Sequence, residues 1–184
     1  MKDLDLDSNE ELFFWWWCEE LQDKGYILKH VREPKSFVLS DTVKYLHIKK
    51  NKPTESTLLR EHHYTPDSGI IWTNKAIGIF TEVTETLVSK LLISDSTNTC
   101  YVEVKPSYDQ NNMTRLFTIN QKWIYQKYDI YINKVIPEKL FEQTFTPTRF
   151  LFTNKSKQKR KIKFKVRTLQ EYLSTFEGKQ VKLF

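Results

Sequence analysis

Residues 100–106, with the sequence CYVEVKP, place an acid and a base on one face of a predicted strand. Side chains of a strand alternate between its faces, so Glu103 and Lys105 point the same way while the valines can face a core. Upstream, Asp67 follows a proline and precedes the apolar run GIIW. Two carboxylates and a lysine at the ends of neighbouring strands are what metal-assisted phosphodiester cleavage requires. The carboxylates would hold a hard divalent cation, and the lysine would orient or activate the attacking water.

An ordinary strand with one solvated face is the alternative interpretation, because many such strands carry an E-x-K pair. The chemical interpretation depends on the context upstream, where the string YTPD occupies residues 64–67. Glu82, between the two segments, is a weaker alternative ligand.

At these positions the sequence resembles the PD-(D/E)xK nuclease superfamily, with Pro66-Asp67 as its P-D and residues 103–105 as its E-x-K. The strings YTPD and YVEVKP are similar to those of phage-encoded endonucleases, junction-resolving enzymes and the end-cleaving nucleases of some transposons. The resemblance implies an α/β, restriction-endonuclease-like core, in which helices flank a central mixed β-sheet. Asp67 and Glu103 lie 36 positions apart, whereas short members have one tight hairpin there. An insertion at residues 72–99 is therefore expected.

The resemblance also implies an activity, which is metal-dependent hydrolysis of DNA in processing, recombination or packaging by a phage or mobile-element protein. Asp67 and Glu103 would bind Mg²⁺ or Mn²⁺, and Lys105 would position the water nucleophile. Many of these nucleases carry a further glutamate on the first helix, which Glu11 would supply as a third ligand.

The first helix is predicted from Ser8 to about Lys24, because SNEE matches a capping box and Gly25 suits a helix end. Glu11 is then either a capping residue or the metal ligand, with Glu10 and Glu19 as competitors. The helix carries LFFWWW at residues 12–17, more large apolar side chains than one helical face can hide. Either the helix is buried within the chain, or its outer face forms a homodimer contact.

A second helix is predicted over residues 113–128 from its apolar spacing. It contains QKWIY at 121–125, which resembles the Q-x-x-x-Y motif of RecB-like and lambda-exonuclease-like members. Gln121 and Tyr125 share one helix face, so both could reach either the site or the backbone of a strand. Gln121 is accordingly a candidate to orient the water or a phosphate oxygen. An ordinary amphipathic helix is the alternative.

The C-terminal segment, residues 155–184, is strongly basic. Residues 155–167 carry eight basic side chains and no acidic one, whereas residues 1–23 carry eight acids and one lysine. Residues 161–167, KIKFKVR, alternate and predict a strand with its cations outward, suited to a phosphate backbone. A charged edge strand that prevents aggregation is the alternative. The candidate DNA-binding residues are Lys155, Lys157, Lys159, Arg160, Lys161, Lys163, Lys165 and Arg167.

Other segments are predicted with less information. Strands are expected at residues 36–39, 43–50, 76–80 and 131–136, and a loop or hairpin tip at 49–57. Pro137 is expected to start a helix that runs to about Gln143, and a short final helix is expected over 168–176.

Composition limits the possibilities further. A chain of 184 residues with 39% hydrophobic and 28% charged residues suits one soluble domain, and its net charge of +6 suits a polyanion such as DNA. Cys18 and Cys100 form no C-x-x-C motif, which favours a reduced, cytoplasmic protein, in the host cytoplasm if phage-encoded. The N-terminus does not resemble a signal peptide, and no apolar run reaches the length of about 18 residues typical of a membrane span.

Two other functional classes remain open. One is a non-catalytic nucleic-acid-binding or virion-associated protein that keeps the nuclease fold. The other is a small structural adaptor that docks through the tryptophan-rich helix, which would be indifferent to Mg²⁺.

Overall fold

The fold is that of a computed structural model, which describes residues 6–83, 91–107, 112–153 and 156–176. Four α-helices are described: α1 Asn9–Asp23, α2 Asn112–Tyr128, α3 Pro137–Gln143 and α4 Leu169–Ser174. The strands are β1 Ile27–Arg32, β2 Phe37–Ser40, β3 Val43–Lys49, β4 Lys52–Leu59, β5 His62–Tyr64, β6 Ser68–Trp72, β7 Thr81–Glu82, β8 Leu92–Ile93, β9 Thr99–Val104 and β10 Ile132–Val135. Short 3-10 helices lie at Asn74–Ala76 and Thr148–Leu151.

A four-stranded mixed sheet with the order β1-β6-β9-β10 forms the centre of the fold. Strands β1, β6 and β9 are antiparallel neighbours, whereas β10 runs parallel to β9 after the crossover through α2. The side chains of β9 alternate as predicted. Val102 and Val104 join the core cluster that contains the aromatic residues of α1, and Tyr101 packs against the second cluster, which contains Phe117 of α2. The predicted α/β class with a mixed sheet between helices is confirmed.

Helix α1 begins and ends as predicted. The Ser8 hydroxyl accepts a hydrogen bond from the Glu11 backbone N–H at 3.1 Å, and Gly25, with a φ of +73°, follows the helix in a conformation that favours glycine. Proline at the first position of α3 and the capping box of α4, between Thr168 and Glu171, set the starts of those helices.

The aromatic run of α1 is buried within the chain, which is the first of the two alternatives from the sequence. Trp16 is 6% exposed and Trp17 is fully buried. The Trp17 ring contacts those of Trp72, Phe80 and Phe145, and its indole N–H donates to the Thr144 hydroxyl at 3.2 Å. The exposed tryptophan patch that suggested a homodimer is therefore absent from this part of the described chain.

The prediction of a strand at residues 76–80 is wrong. The 3-10 helix ending at Ala76 is followed by a tight turn, in which the backbone N–H groups of Ile79 and Phe80 both donate to the Ala76 carbonyl. The apolar residues of this segment reflect burial rather than extension, because the Phe80 side chain enters the core beside Trp17 and Tyr26.

Of the loop or hairpin tip predicted at residues 49–57, the hairpin tip is confirmed at Lys50 and Asn51, whereas residues 52–57 form part of β4. Strands β3 and β4 pair as an antiparallel hairpin whose turn consists of Lys50 and Asn51. Polar residues dominate β4 because most of its side chains are exposed, which removed the alternation that would have indicated a strand.

The C-terminal segment at residues 161–167 is not the predicted strand. Its side chains alternate in burial only as far as residue 165: Ile162 and Phe164 pack against the core, the lysines at 161, 163 and 165 are exposed, and Val166 is exposed as well. In the described residues this segment pairs with no strand, so its backbone stays irregular. The Arg167 guanidinium instead donates to the carbonyls of Glu142 and Gln143 at the end of α3.

Candidate active site

Asp67, Glu103 and Lys105 lie together at one end of the central sheet. Ser68 of β6 lies opposite Val102 of β9, so the residue before β6 meets the end of β9. The Val104 backbone N–H donates to Asp67 Oδ2 at 2.7 Å. The antiparallel pairing of β6 and β9 therefore brings the two motifs together, although 36 positions separate them in the sequence.

Glu103 and Lys105 form a buried ion pair. They are 7% and 9% exposed, and Lys105 Nζ lies 2.7 Å from Glu103 Oε1. A charge so far from water needs a partner, and each supplies one for the other. The backbone N–H of Lys105 donates to the Val135 carbonyl at 2.8 Å, which fixes the lysine against β10.

Tyr64 completes this arrangement, and the sequence interpretation did not assign it a role. Its hydroxyl donates to Glu103 Oε2 at 2.5 Å, so both oxygens of that carboxylate have a partner. Burial raises the pKa of Tyr64, and the negative charge of Glu103 raises it further. The available signal was its position three residues before Asp67, in the string YTPD.

Asp67 lies in an unusual electrostatic environment at this site. Its pKa is raised from 3.8 to about 7, mainly by burial and secondly by the charge of Glu103. The Val104 N–H and Lys105 act in the opposite direction, whereas Glu11 raises the pKa slightly more. A carboxyl group with a pKa near 7 is about half ionised at neutral pH. A cation bound beside it and the second carboxylate would strongly stabilise its ionised form.

Glu11 lies near enough to affect Asp67, but its carboxylate is used to cap α1. Oε1 accepts from the Ser8 hydroxyl at 3.0 Å, and Oε2 lies 3.4 Å from the Asp7 backbone N–H that donates to it. Glu19, one of its competitors, pairs with Arg149. Across the described residues, no group of three or more His, Cys, Asp or Glu side chains could hold a metal. The role of Glu11 as a third ligand therefore stays a prediction.

Gln121 contacts the backbone of a strand, which is the second of the two alternatives predicted for it. Its amide Nε2 donates to the Ile132 carbonyl at 2.5 Å, which ties α2 to β10. Ile132 lies opposite Tyr101, two residues before Glu103 on β9. The Nε2 donor of Gln121 is therefore engaged with the strand backbone, and its role in orienting water stays a prediction. Tyr125, its partner in the motif, is 44% exposed.

The donors at this site fit Mg²⁺ or Mn²⁺. Asp67 and Glu103 offer oxygen atoms only, which is what hard cations prefer, and Mg²⁺ commonly needs only one or two carboxylates because it keeps several waters. The Val104 N–H donates to Asp67 Oδ2, and within the described chain the other oxygen, Oδ1, has no hydrogen bond.

One of the basic C-terminal residues, Arg160, packs against α1. Arg160 stacks over the rings of Phe13 and Phe150, at 4.7 and 5.0 Å from their centroids. Phe13 is two residues after Glu11, so the segment passes the start of α1. Lys157, Lys159, Lys161, Lys163 and Lys165 are exposed, whereas Arg160 and Arg167 are engaged in contacts within the chain. Lys155 lies outside the described residues.

Comparison of the chain with protein-family models, with curated proteins and with solved structures gave no match. Among the helices in the described part of the chain, none has the length and apolar character needed to cross a membrane.

Proposed function

We propose that this chain is a metal-dependent deoxyribonuclease of the PD-(D/E)xK type. The observation that carries the proposal is the meeting of Asp67 with the buried Glu103–Lys105 pair across the β6–β9 pairing. A solvated strand face, the alternative interpretation of E-x-K, would leave both charged side chains exposed. Here both are almost fully buried, and because a buried ion pair adds little to stability, a role in chemistry explains it better than a structural role.

The topology supports the restriction-endonuclease-like core that the resemblance implies. Strand, strand, helix, strand, helix is the expected order around the motifs, and β6, β9, α2, β10 and α3 follow it. The strand that follows the proline–aspartate pair adjoins the E-x-K strand, and the crossover helix leads to a parallel neighbour. The insertion expected at residues 72–99 would lie in the segment that links β6 to β9.

Each residue has a distinct role in the proposed reaction. Asp67 and Glu103 would hold Mg²⁺ or Mn²⁺, and the bound ion would polarise the scissile phosphate and lower the pKa of its water. Asp67 must lose its proton to bind the cation, which is easy near neutral pH because its pKa is about 7. The Lys105 ammonium would position the attacking water and offset the charge that develops on the phosphate. Tyr64 holds Glu103 in place by its hydrogen bond.

The exposed lysines of the C-terminal segment would contact the phosphate backbone. They are held in a row because the side chains between them are anchored in the core. Such contacts supply affinity and position without reading the base sequence. A homodimer, which would allow coordinated cutting of two strands, stays part of the proposal, but the buried tryptophan-rich helix would not form its interface.

The test is cleavage of supercoiled, linear and branched DNA with Mg²⁺, with Mn²⁺ and with chelator. We expect cleavage only with metal, and none from Asp67→Ala, Glu103→Ala or Lys105→Ala. Asp41→Ala and Lys122→Ala, which change exposed side chains, are the matched controls and should cleave normally. Robust cutting by Lys105→Ala would refute the mechanism. No cleavage of any DNA form by a folded, DNA-binding protein would favour the non-catalytic alternative.

A further inference from the structure

The β3–β4 hairpin, which we call the arm (residues 43–59), is an extended two-stranded ribbon. Strands β3 and β4 pair with each other and with no other strand of the described chain. No helix in the described chain packs extensively against them. Several large apolar side chains on it are exposed, among them Leu46 and Ile48, each at 76%. An exposed element with this much apolar surface usually has a binding partner.

The tip of the arm is strongly cationic. Lys49 and Lys52 lie directly opposite each other on the two strands, with Lys50 in the turn between them. Like charges at opposed positions destabilise a hairpin. No salt bridge between described residues involves any of these three lysines, while Lys44, nearer the base, is neutralised by Glu55 at 2.8 Å. A polyanion at the tip would relieve this repulsion.

The turn itself indicates that a lysine is kept there for its charge. Lys50 and Asn51 have φ values of +49° and +60°, the left-handed conformation of a tight hairpin turn. Asparagine tolerates this conformation and glycine favours it, whereas lysine adopts it at a cost. Local strain at an exposed position points to a function of the side chain.

The arm is connected to the candidate active site. Below it, β2 and β5 pair as a second ribbon, and the Glu61 N–H donates to the Thr42 hydroxyl at the junction. This lower ribbon ends at Tyr64, the residue that donates to Glu103. Lys52 lies twelve residue steps from Tyr64, so its distance from the site is at most about 40 Å even if the chain between them is fully extended.

From these observations we infer that the arm binds duplex DNA beside the bond to be cut, an inference that rests on the proposed function for its substrate. A two-stranded ribbon fits the major groove, and three lysines at its tip can lie on phosphates. The exposed face with Leu46, Ile48 and Pro53 would lie against sugars and thymine methyl groups. A second copy is a poorer occupant, because a stable protein interface takes about 20 to 30 residues a side.

The decisive variant is Lys50→Gly, because glycine suits the turn better than lysine, so the charged side chain is removed without strain in the turn. Asn51→Gly is the matched control, since it makes the same change at the neighbouring turn position without changing charge. Binding of the full chain to a fluorescent 30-base-pair duplex is measured by anisotropy in chelator, across a series of salt concentrations. Circular dichroism and thermal unfolding establish that the variants are folded.

We expect Lys50→Gly to weaken binding about eightfold at 0.1 M salt and to reduce the salt slope by about 0.9, while Asn51→Gly binds like the wild type. Replacement of Lys49 and Lys52 by glutamine should reduce the slope further. Equal affinity of Lys50→Gly and wild type would overturn the inference, as would an equal loss in both glycine variants. A dimer in sedimentation that Leu46→Glu dissociates, with DNA affinity unchanged, would assign the arm to a second copy and also overturn it.

The two proposals fail in different ways. Arm-dependent binding without cleavage by the wild type would reject the nuclease and keep the arm. Metal-dependent cleavage, together with a DNA affinity that Lys50→Gly does not change, would keep the nuclease and reject the arm.

Discussion

Replacement of Asp67 by asparagine is expected to stabilise the protein while it abolishes cleavage. The pKa of Asp67 is about 7 in the folded chain, against an ordinary value of 3.8. Between these values the folded chain holds a proton that the unfolded chain releases, so stability falls as pH rises through this window. A difference of about three pH units corresponds to as much as about 4 kcal/mol lost above pH 7. Asparagine avoids this loss because it has no charge, and it keeps an acceptor for the Val104 N–H.

Urea denaturation in chelator, from pH 4 to pH 8.5, measures this effect. At pH 4 the wild type and Asp67→Asn should have similar free energies of unfolding. At pH 8 the variant should be more stable by up to about 4 kcal/mol, because the wild-type carboxylate is then ionised beside Glu103. Asp41→Asn, a change at an exposed carboxylate, is the control and should follow the wild type. Added Mg²⁺ should stabilise the wild type at pH 8 and leave the variant unchanged.

Two results would contradict this reasoning. If Asp67→Asn were no more stable than the wild type at pH 8, the carboxylate would not be electrostatically unfavourable in the folded chain. If its advantage were the same at pH 4 and pH 8, the effect would come from packing rather than from ionisation.

Two further predictions concern other parts of the molecule. Tyr64→Phe should destabilise the folded chain by about 1.5–3 kcal/mol, because a buried carboxylate loses a hydrogen-bond donor; a double-mutant cycle with Glu103→Gln in urea denaturation should show strong coupling, and additive effects would count against the contact. Replacing the exposed lysines at 161, 163 and 165 with glutamine should lower the salt slope of DNA binding by up to about 2.7 and weaken binding to all sequences alike. An unchanged slope would leave these lysines without a role in binding.

Local signals in the sequence predicted much of the framework. Ser8 and Gly25 set the ends of α1 correctly, and Pro137 set the start of α3, because caps depend on chemistry within one turn of the chain. The alternation in residues 100–105 placed β9 and directed Glu103 away from the valine face. Such features need no knowledge of distant contacts.

The remaining features depend on tertiary contacts that no local pattern carries. The hydrogen bond between Tyr64 and Glu103 joins residues 39 positions apart. Gln121 was placed correctly on a helix face, but only the position of β10 decides that its amide meets a strand carbonyl. The lysine-rich alternation at 161–167 predicted a strand, yet strand formation also needs a neighbour, and the described chain gives this segment none.

The pairing of β9 has a consequence for the order in which the molecule assembles. Asp67, Glu103 and Lys105 have all been made once synthesis reaches residue 105. The Lys105 N–H, however, donates to the Val135 carbonyl, which lies thirty residues later in the chain. The partner strand β6 is reached only by closing the loop from residue 73 to 98, and contacts of such sequence separation form slowly. The Lys105 end of the site can therefore be fixed only after α2 and β10 have been made.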